Sequence, residues 1–519
     1  SGRWRPDARA QALADAVLAD DRVHSPSSIT TRRQVGGTSV IWGGRCVPFD
    51  PVDFDRRESI GAAWPIGYED VVPHFQRACD WLVCGRAVFD ADEVPTLRGR
   101  PLVPGFPDGA VRNSALERWS LPTDFAREYG RRLRASATVR VVSPVTCTEI
   151  VTEQDRPAVR HLAARALDGR RLTVRARRYV LACGGLEATR LLLASRAPAG
   201  HAVGDHSGHL GRWYMAHVEG GVARARFTTP PRQTRYGYER DVDGVYVRRR
   251  LSFAREHLRE HGLPNVVAWL ANPELPDPAH GNGPLSFAYL ALSSPLGRWF
   301  APEAQRWSLT GRHVPGAPYG VARRGRVSEH VRNVARQPLA TLRFVGGFGR
   351  NRFLARRRAP GFFVYSPDNA YPLQYHGEHL PHRDSRVTLA DERDALGMPR
   401  LRIDLRFSDA DVEGVVRAHE QWDAYLRAHG IGRLEYRSDD VAGEVWRRIG
   451  GGFHQAGTTR MAACPDDGVV DADLAVHGHA DLFVVSSSTF VTSSQANSTF
   501  MVVALAVRLA DHLKRLRGR

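Results

Sequence analysis

The sequence predicts an α/β protein in which one parallel-sheet domain is assembled from separated segments around a second domain of sheet and helices. Three observations carry that expectation. Residues 139–183 alternate branched apolar with polar side chains in the period of strands, and the last run, YVLAC, meets Gly184, Gly185 and the helix pattern LEATRLLLAS without a linker. The tail repeats this order, with LFVVSSSTF as strand and polar turn and FMVVALAVRLADHLKRL as a long amphipathic helix whose basic last turn suits a helix C-terminus. Residues 216–449, by contrast, are rich in aromatics, Pro and Arg, with strand-like pieces (GVARARFTT, VYVRRRLSF, SRVTLADE, PRLRIDLRF) and two helical patterns, near 326–345 and 409–429.

Taken in chain order, ARAQALADAVLADD carries a helical pattern and a turn-rich stretch follows. RQVGGTSVIWGGRCVPFDPVDF then sets four glycines and two prolines in a short span, the composition of an extended loop that hugs a ligand. VRVVSPVTCTEIV, RPAVRHLAARAL and RLTVRARRYVLAC read as strands, the last two joined by a hairpin turn at Asp168 and Gly169. Strand, glycine pair and helix together let backbone amides and a helix N-terminus approach a phosphate or a ring. The segments divide as 1–58, 130–215 and 450–519 for the first domain, and 59–129 with 216–449 for the second.

At 519 residues, with 42% apolar and 25% charged residues, the chain has the balance of an ordinary folded protein and can bury a sizeable core. No run of about 18 uncharged apolar residues occurs. The opening SGRWRPDARA also lacks the apolar stretch of a secretory signal, so the expectation is a cytoplasmic protein with no integral membrane span. Six cysteines, of which Cys79 and Cys84 are the closest pair, lack redox or zinc spacing and read as free thiols. The balance of 73 basic against 56 acidic residues gives +17, nearly all of it Arg, with one concentration between Arg323 and Arg358 that suits a solvated face or an interface with an anionic surface.

Three segments carry a family resemblance. GGTSVIWGG, VLACGGLEATRLLLAS and the stretch from HQAGTTRM through SSQANSTFMVVALAVRLADHL resemble, in order and spacing, the glucose-methanol-choline (GMC) oxidoreductase family. SRVTLADERDALGMPRLRIDLRFSDAD resembles that family's lead-in to the third segment, and the likeness covers most of the chain, more weakly over 220–370. The resemblance implies an FAD-binding Rossmann-like (GMC-type) domain with a substrate domain over the flavin. The implied activity is oxidation of the CH–OH group of an alcohol (sugar, polyol or sterol-like), with oxygen or another acceptor taking the electrons. It implies that His454 faces the flavin and takes the hydroxyl proton while Asn497 holds the hydroxyl. A neutral imidazole can accept that proton at physiological pH, and a carboxamide offers a donor and an acceptor without competing for it.

The same resemblance assigns cofactor contacts to Gly36, Gly37, Thr38, Ser39, Trp42, Gly43 and Gly44, to Cys147, and to Cys183, Gly184 and Gly185. It adds Ser486, Ser487, Ser498 and Thr499 beside Asn497. Some relatives bond FAD to a His in the glycine loop; Ile41 stands at that position here, so non-covalent FAD is expected. Asp471 and Asp473 read as turn formers and His217 as structural. His376, Glu378, His379 and His382 imitate a metal cluster, but their segment resembles the family's ordinary entry into SRVTL, and no metal is expected.

A dinucleotide site of this type opens with strand, G-x-G-x-x-G, helix and an acidic strand end. No Gly-x-Gly here has that setting, so the expectation is a fold lacking its N-terminal βαβ unit, some ~30 to 40 residues, which a late start site, a truncation or a partner chain would explain. The chain alone is then expected to bind FAD poorly. Two rival readings remain from sequence: an inactive remnant or larger part of a split flavoenzyme, and a basic nucleic-acid or membrane-surface binding protein.

Overall fold

The computed structural model describes residues 7–301, 303–311 and 325–517, so Arg323 and Arg324 of the basic run lie outside the described residues. Strand Tyr179–Leu181 pairs in parallel with Leu482–Val484, which brings the two strand-to-helix segments side by side. Helix Gly185–Ala194 follows the first of these strands at once, and helix Thr499–Arg517 closes the described chain. Leu181, Leu191, Val484, Phe500 and Leu505 meet in a core between them. Helix Phe75–Leu82 turns Phe75, Ala78, Cys79 and Leu82 into the same core, and the Phe75 and Phe500 rings stand edge to face at 5.2 Å. Ala62, Ile66, Val71 and Cys84 join it, so part of the stretch 59–129 expected in the second domain packs into this core.

An antiparallel sheet of Thr146–Thr152, Val159–Arg165 and Arg171–Val174 flanks this core, with Gly169 at φ +91° in the expected hairpin turn. VRVVSPV does not extend it. Val139, Val141 and Val142 are 47%, 55% and 50% exposed and have no ladder partner among the described residues. An extended segment without a neighbouring strand has no protein groups to satisfy its backbone. The N-terminal helical pattern also shortens, to Ala8–Ala12 capped by Asp7, whose Oδ1 accepts from Ala10 N at 2.9 Å. Val17–Leu18 instead pairs in parallel with Pro399–Asp404, where Ala16 and Leu18 pack on Leu401 and Ile403. Tertiary burial overrides helix propensity there.

The second core lies on one face of a four-stranded antiparallel sheet with strand order Val266–Leu270, Ala370–Glu378, His217–Phe227, Gly432–Tyr436. Val218, Val266, Ala268 and Tyr375 point to helix Asp409–Ala428, whose Trp422 is fully buried and stacked on Phe253 at 5.1 Å. That helix starts as its sequence S-D-A-D requires, with Asp411 Oδ2 accepting from Ser408 N at 2.8 Å. The pattern read near 326–345 is two helices, Val327–Arg336 and Pro338–Gly349, because Pro338 lacks the N–H to continue the first. The opposite face of the sheet is polar. Register pairs His376 with Glu219, Glu378 with His217 and Gln374 with Trp269, so these side chains share one side.

Candidate active site

That polar face meets the loop before the last helix. Asn497 Nδ2 donates to His454 Nε2 at 2.8 Å, bringing together the two residues singled out in the sequence. The bond fixes Nε2 as the lone-pair nitrogen of His454. Its enclosure, and then the nearby Arg45 guanidinium, push the His454 imidazole down to about 4. Asn497 Oδ1 is buried without a protein partner.

His217 and His376 complete the cluster. The ring centroids lie 4.8 Å (His217) and 5.7 Å (His376) from that of His454, and 4.2 Å from each other. His217 Nδ1 donates to Ser494 O at 3.0 Å and His376 Nδ1 to Gln495 O at 2.6 Å, which leaves both Nε2 atoms as acceptors. Burial holds both rings well below the usual imidazole range, and neighbouring imidazoles add to the effect, with Arg45 adding at His376. One ring nitrogen from each of His217, His376 and His454 falls within 4.8 Å of the others, the one grouping of described residues with the spacing to hold a divalent cation. The remaining residues of the YHGEHLPH segment take other partners. Glu378 pairs with Arg57 at 2.6 Å and His379 Nδ1 accepts from Ala216 N at 3.0 Å. His382 Nδ1 accepts from Asp384 N at 3.2 Å.

The loop carrying Asn497 is held on both sides. Ser494, at φ +59°, donates through Oγ to Asp53 Oδ2 at 2.6 Å, and Gln495 Nε2 donates to Asp50 Oδ2 at 2.8 Å. Arg250 donates to Gln495 Oε1, and Ser493 Oγ donates to His379 O at 3.1 Å. Burial, then Asp50 and Glu378, push the Asp53 carboxyl up to about 8. Beside the cluster, Trp269 sits between the guanidiniums of Arg45 (4.6 Å) and Arg248 (4.5 Å), both of which face the buried Glu117.

The expected cofactor contacts arrange themselves as follows. Gly36 and Gly37 take φ +94° and +53° at the head of a short helix, Gly37–Val40, in which Thr38 O accepts from Ile41 N and Trp42 N. Ser39 Oγ donates to Gly36 O at 2.5 Å and accepts from Phe125 N at 3.1 Å, and Trp42 Nε1 donates to Thr123 O at 2.9 Å. Gly43 is exposed, whereas a side chain at Gly44 would strike Leu121 at 2.9 Å. Cys183 and Gly184 are exposed at the strand end, and a Cβ on Gly185 would meet Gln455 O at 2.7 Å, so only glycine lets that helix N-terminus reach the segment of His454. Ser487 Oγ donates to Gln455 O, Ser486 Oγ lies 2.6 Å from Ser488 Oγ, and Ser498 and Thr499 lead into the last helix. Cys147 turns its thiol to Glu149 O at 3.9 Å and has no bond to the imidazole–amide pair. Asp471 forms the expected turn, with Oδ1 accepting from Asp473 N at 2.8 Å and Ala475 N at 2.9 Å.

Residues 381–506 match the GMC oxidoreductase family. That segment of the chain is similar to the GMC oxidoreductases. The chain is 31% identical to 2-methyl-1,2-propanediol dehydrogenase of Mycolicibacterium austroafricanum over 27% of this chain and 24% of that protein. It is 27% identical to the fructose dehydrogenase large subunit of Gluconobacter japonicus over 30% and 26%, and 30% identical to paromamine 6'-oxidase of Streptomyces fradiae over 35% and 40%. The matched stretches therefore span between a quarter and two fifths of these relatives. In fold, the chain resembles pyridoxine 4-oxidase from Mesorbium loti, with a TM-score of 0.53 at 17% identity over 98% of this chain and 92% of that one. It also resembles a formate oxidase, with a TM-score of 0.51 at 15% identity over 98% and 89%. The mixed α/β architecture is that of these two structures.

Sequence reasoning missed His217 and His376. The signal was the alternation in HVEG and YHGE, which puts His217 with Glu219 and His376 with Glu378 on one face of their strands. Which face met the site depended on strand register, which only the fold supplies.

Proposed function

We propose that this protein is an FAD-dependent oxidoreductase that oxidises the CH–OH group of an alcohol, with His454 as the base. The single observation that carries this reading is the 2.8 Å bond from Asn497 Nδ2 to a neutral His454 Nε2 on the wall of a polar, partly open site. The residues present fit a flavin. Gly37, Gly43 and Gly184 leave open space where a side chain would stand, the strand end at 182–184 is exposed, and Asn497 Oδ1 waits buried for a partner. Gly36, Gly37, Gly43, Gly44, Gly184 and Gly185 would hold the ring by backbone approach, and Ile41 offers no nucleophile for a covalent link. Bound there, FAD supplies the hydride acceptor, flavin N5.

The chain's own residues do the rest. Asn497 holds the substrate hydroxyl and aims its carbon, and His454 Nε2 takes the hydroxyl proton as the C–H bond is lost. His376 Nε2 and Gln374 Nε2 are further buried polar atoms without protein partners near this face, which favours a sugar or polyol over a sterol-like alcohol. The named activities of the three sequence relatives, on a diol, on fructose and on paromamine, support the same choice. An alcohol panel with His454→Ala tests the assignment: turnover is expected to fall by about a hundredfold to ten-thousandfold, and near-normal turnover would overturn it. Asn497→Ala is expected to lose less.

The exposure of Val139, Val141, Val142 and Val180 favours a second reading, in which these 519 residues hold only part of the flavin's binding surface. The chain made alone then binds FAD substoichiometrically, measured by absorbance after desalting. A fully flavinylated preparation would sink it.

A further inference from the structure

The basic run singled out in the sequence lies on a pair of helices turned inside out. Val327–Arg336 and Pro338–Gly349 pack toward helix Gly283–Ser293 through polar groups. His330 Nδ1 lies 3.0 Å from Ser286 Oγ, Asn333 Nδ2 donates to Pro278 O at 2.9 Å, and Thr341 is buried where a Cβ on Gly283 would touch it. The apolar residues face out instead. Val327, Val331, Leu339, Leu342 and Val345 are exposed, both leucines at 68%, and fall at i, i+3 or i+4 along their helices. A helix of a soluble protein ordinarily shows the opposite pattern. The patch continues through Phe353, whose ring centroid is 5.9 Å from that of Phe300, to Trp299 and Leu354 at 65% and 81% exposed.

Arginines surround it. Arg326, Arg332, Arg336, Arg343 and Arg350 are exposed on the same segment, and none forms an ion pair with a carboxylate among the described residues. Charge and apolarity together select the occupant. Nucleic-acid phosphates reward the guanidiniums but leave exposed leucine and valine without a role. An anionic bilayer surface uses both, taking apolar side chains at the acyl boundary and guanidiniums at the headgroups. No described helix is long and apolar enough to cross a membrane, so the helices would lie in the interface. We infer that this helical face docks the protein on an anionic lipid surface.

Sedimentation of the full chain with phosphatidylcholine vesicles, with and without phosphatidylserine, tests the inference. Binding is expected to the anionic vesicles, to weaken with added salt, and to be far poorer with phosphatidylcholine alone. The triple variant Arg332→Gln, Arg336→Gln, Arg343→Gln should weaken it about a hundredfold, since each arginine near such a surface contributes about 1 kcal/mol and 1.4 kcal/mol is a factor of ten. Leu339→Ser with Leu342→Ser should weaken it at least ~10-fold, two leucines each burying apolar area worth more than 1 kcal/mol. Leu172→Ser, on the exposed hairpin, should change nothing. All these positions are exposed, and an unchanged thermal midpoint checks each fold. Failure to sediment with anionic vesicles, or binding by both multiple variants as tight as that of the unaltered chain, would overturn the inference. Self-association lost on the leucine substitutions, without vesicle binding, would assign the face to a second copy of the chain.

Discussion

His454 is useful as a base because it stays neutral where a free imidazole is partly charged. Enclosure contributes most to the lowering and the Arg45 guanidinium adds to it, so the lone pair on Nε2 is present at any pH above about 4. If His454 is the base, kcat/KM for alcohol should hold level down the pH scale through 6.5 and fall only near 4. An acid limb centred at 6.5 would mean that another imidazole, or none, does the work. Arg45→Gln removes the smaller cause and keeps the larger, so the limb should move up by a fraction of a unit and stop well short of 6.5. A limb that does not move would show that Arg45 acts on the site through Trp269 and Glu117 alone, where its guanidinium stacks and pairs.

The site is assembled where two elements meet, the polar face of the four-stranded sheet and the loop 492–497, and Glu378 anchors the first of them. Arg57 grips it with two bonds, 2.7 Å and 2.6 Å, and the Glu378 side chain is fully buried. Arg57→Ala leaves that carboxylate uncompensated, which should cost about 3–5 kcal/mol in a denaturant titration. Arg57→Ala with Glu378→Gln should recover much of the loss, and a single-variant loss under ~1 kcal/mol, the range of an exposed pair, would contradict the buried-clamp reading. The sequence made much of this region legible. The loop glycines announced their backbone, and YVLAC-GG-helix announced its strand and turn, because those constraints are local. His217 and His376 were not legible as site residues, since alternation names a face but not what the face meets. Nor was the break at Gln337 and Pro338 read, although Pro at that position should have stopped the helix.

At the scale of the whole molecule, the fold class was readable because two distant strand-to-helix segments share one pattern and prove to be parallel neighbours. Membership of segment 62–84 was less so, because an amphipathic helix tells only that it needs a core and not which one. Three enclosed histidines, one of them in the site, share a feature that sets the protein's response to acid. His24 beside Tyr214, His419 against the second core and His454 in the site are each pushed down to about 4, with burial the first cause in every case. In the unfolded chain the same groups titrate near 6.5. The unfolded state therefore binds more protons as pH falls through 6.5, and stability is lost progressively until about 4, where the folded groups take protons too. At pH 5 each such histidine should cost roughly 2 kcal/mol relative to pH 7. Three together would remove roughly 5 kcal/mol, a large part of an ordinary domain's stability. A urea midpoint that drops steeply between pH 7 and pH 5, and less steeply in His419→Gln, is the expected result. A flat midpoint across that interval would mean that these rings reach water, and the neutral His454 on which the proposed chemistry depends would lose its physical basis.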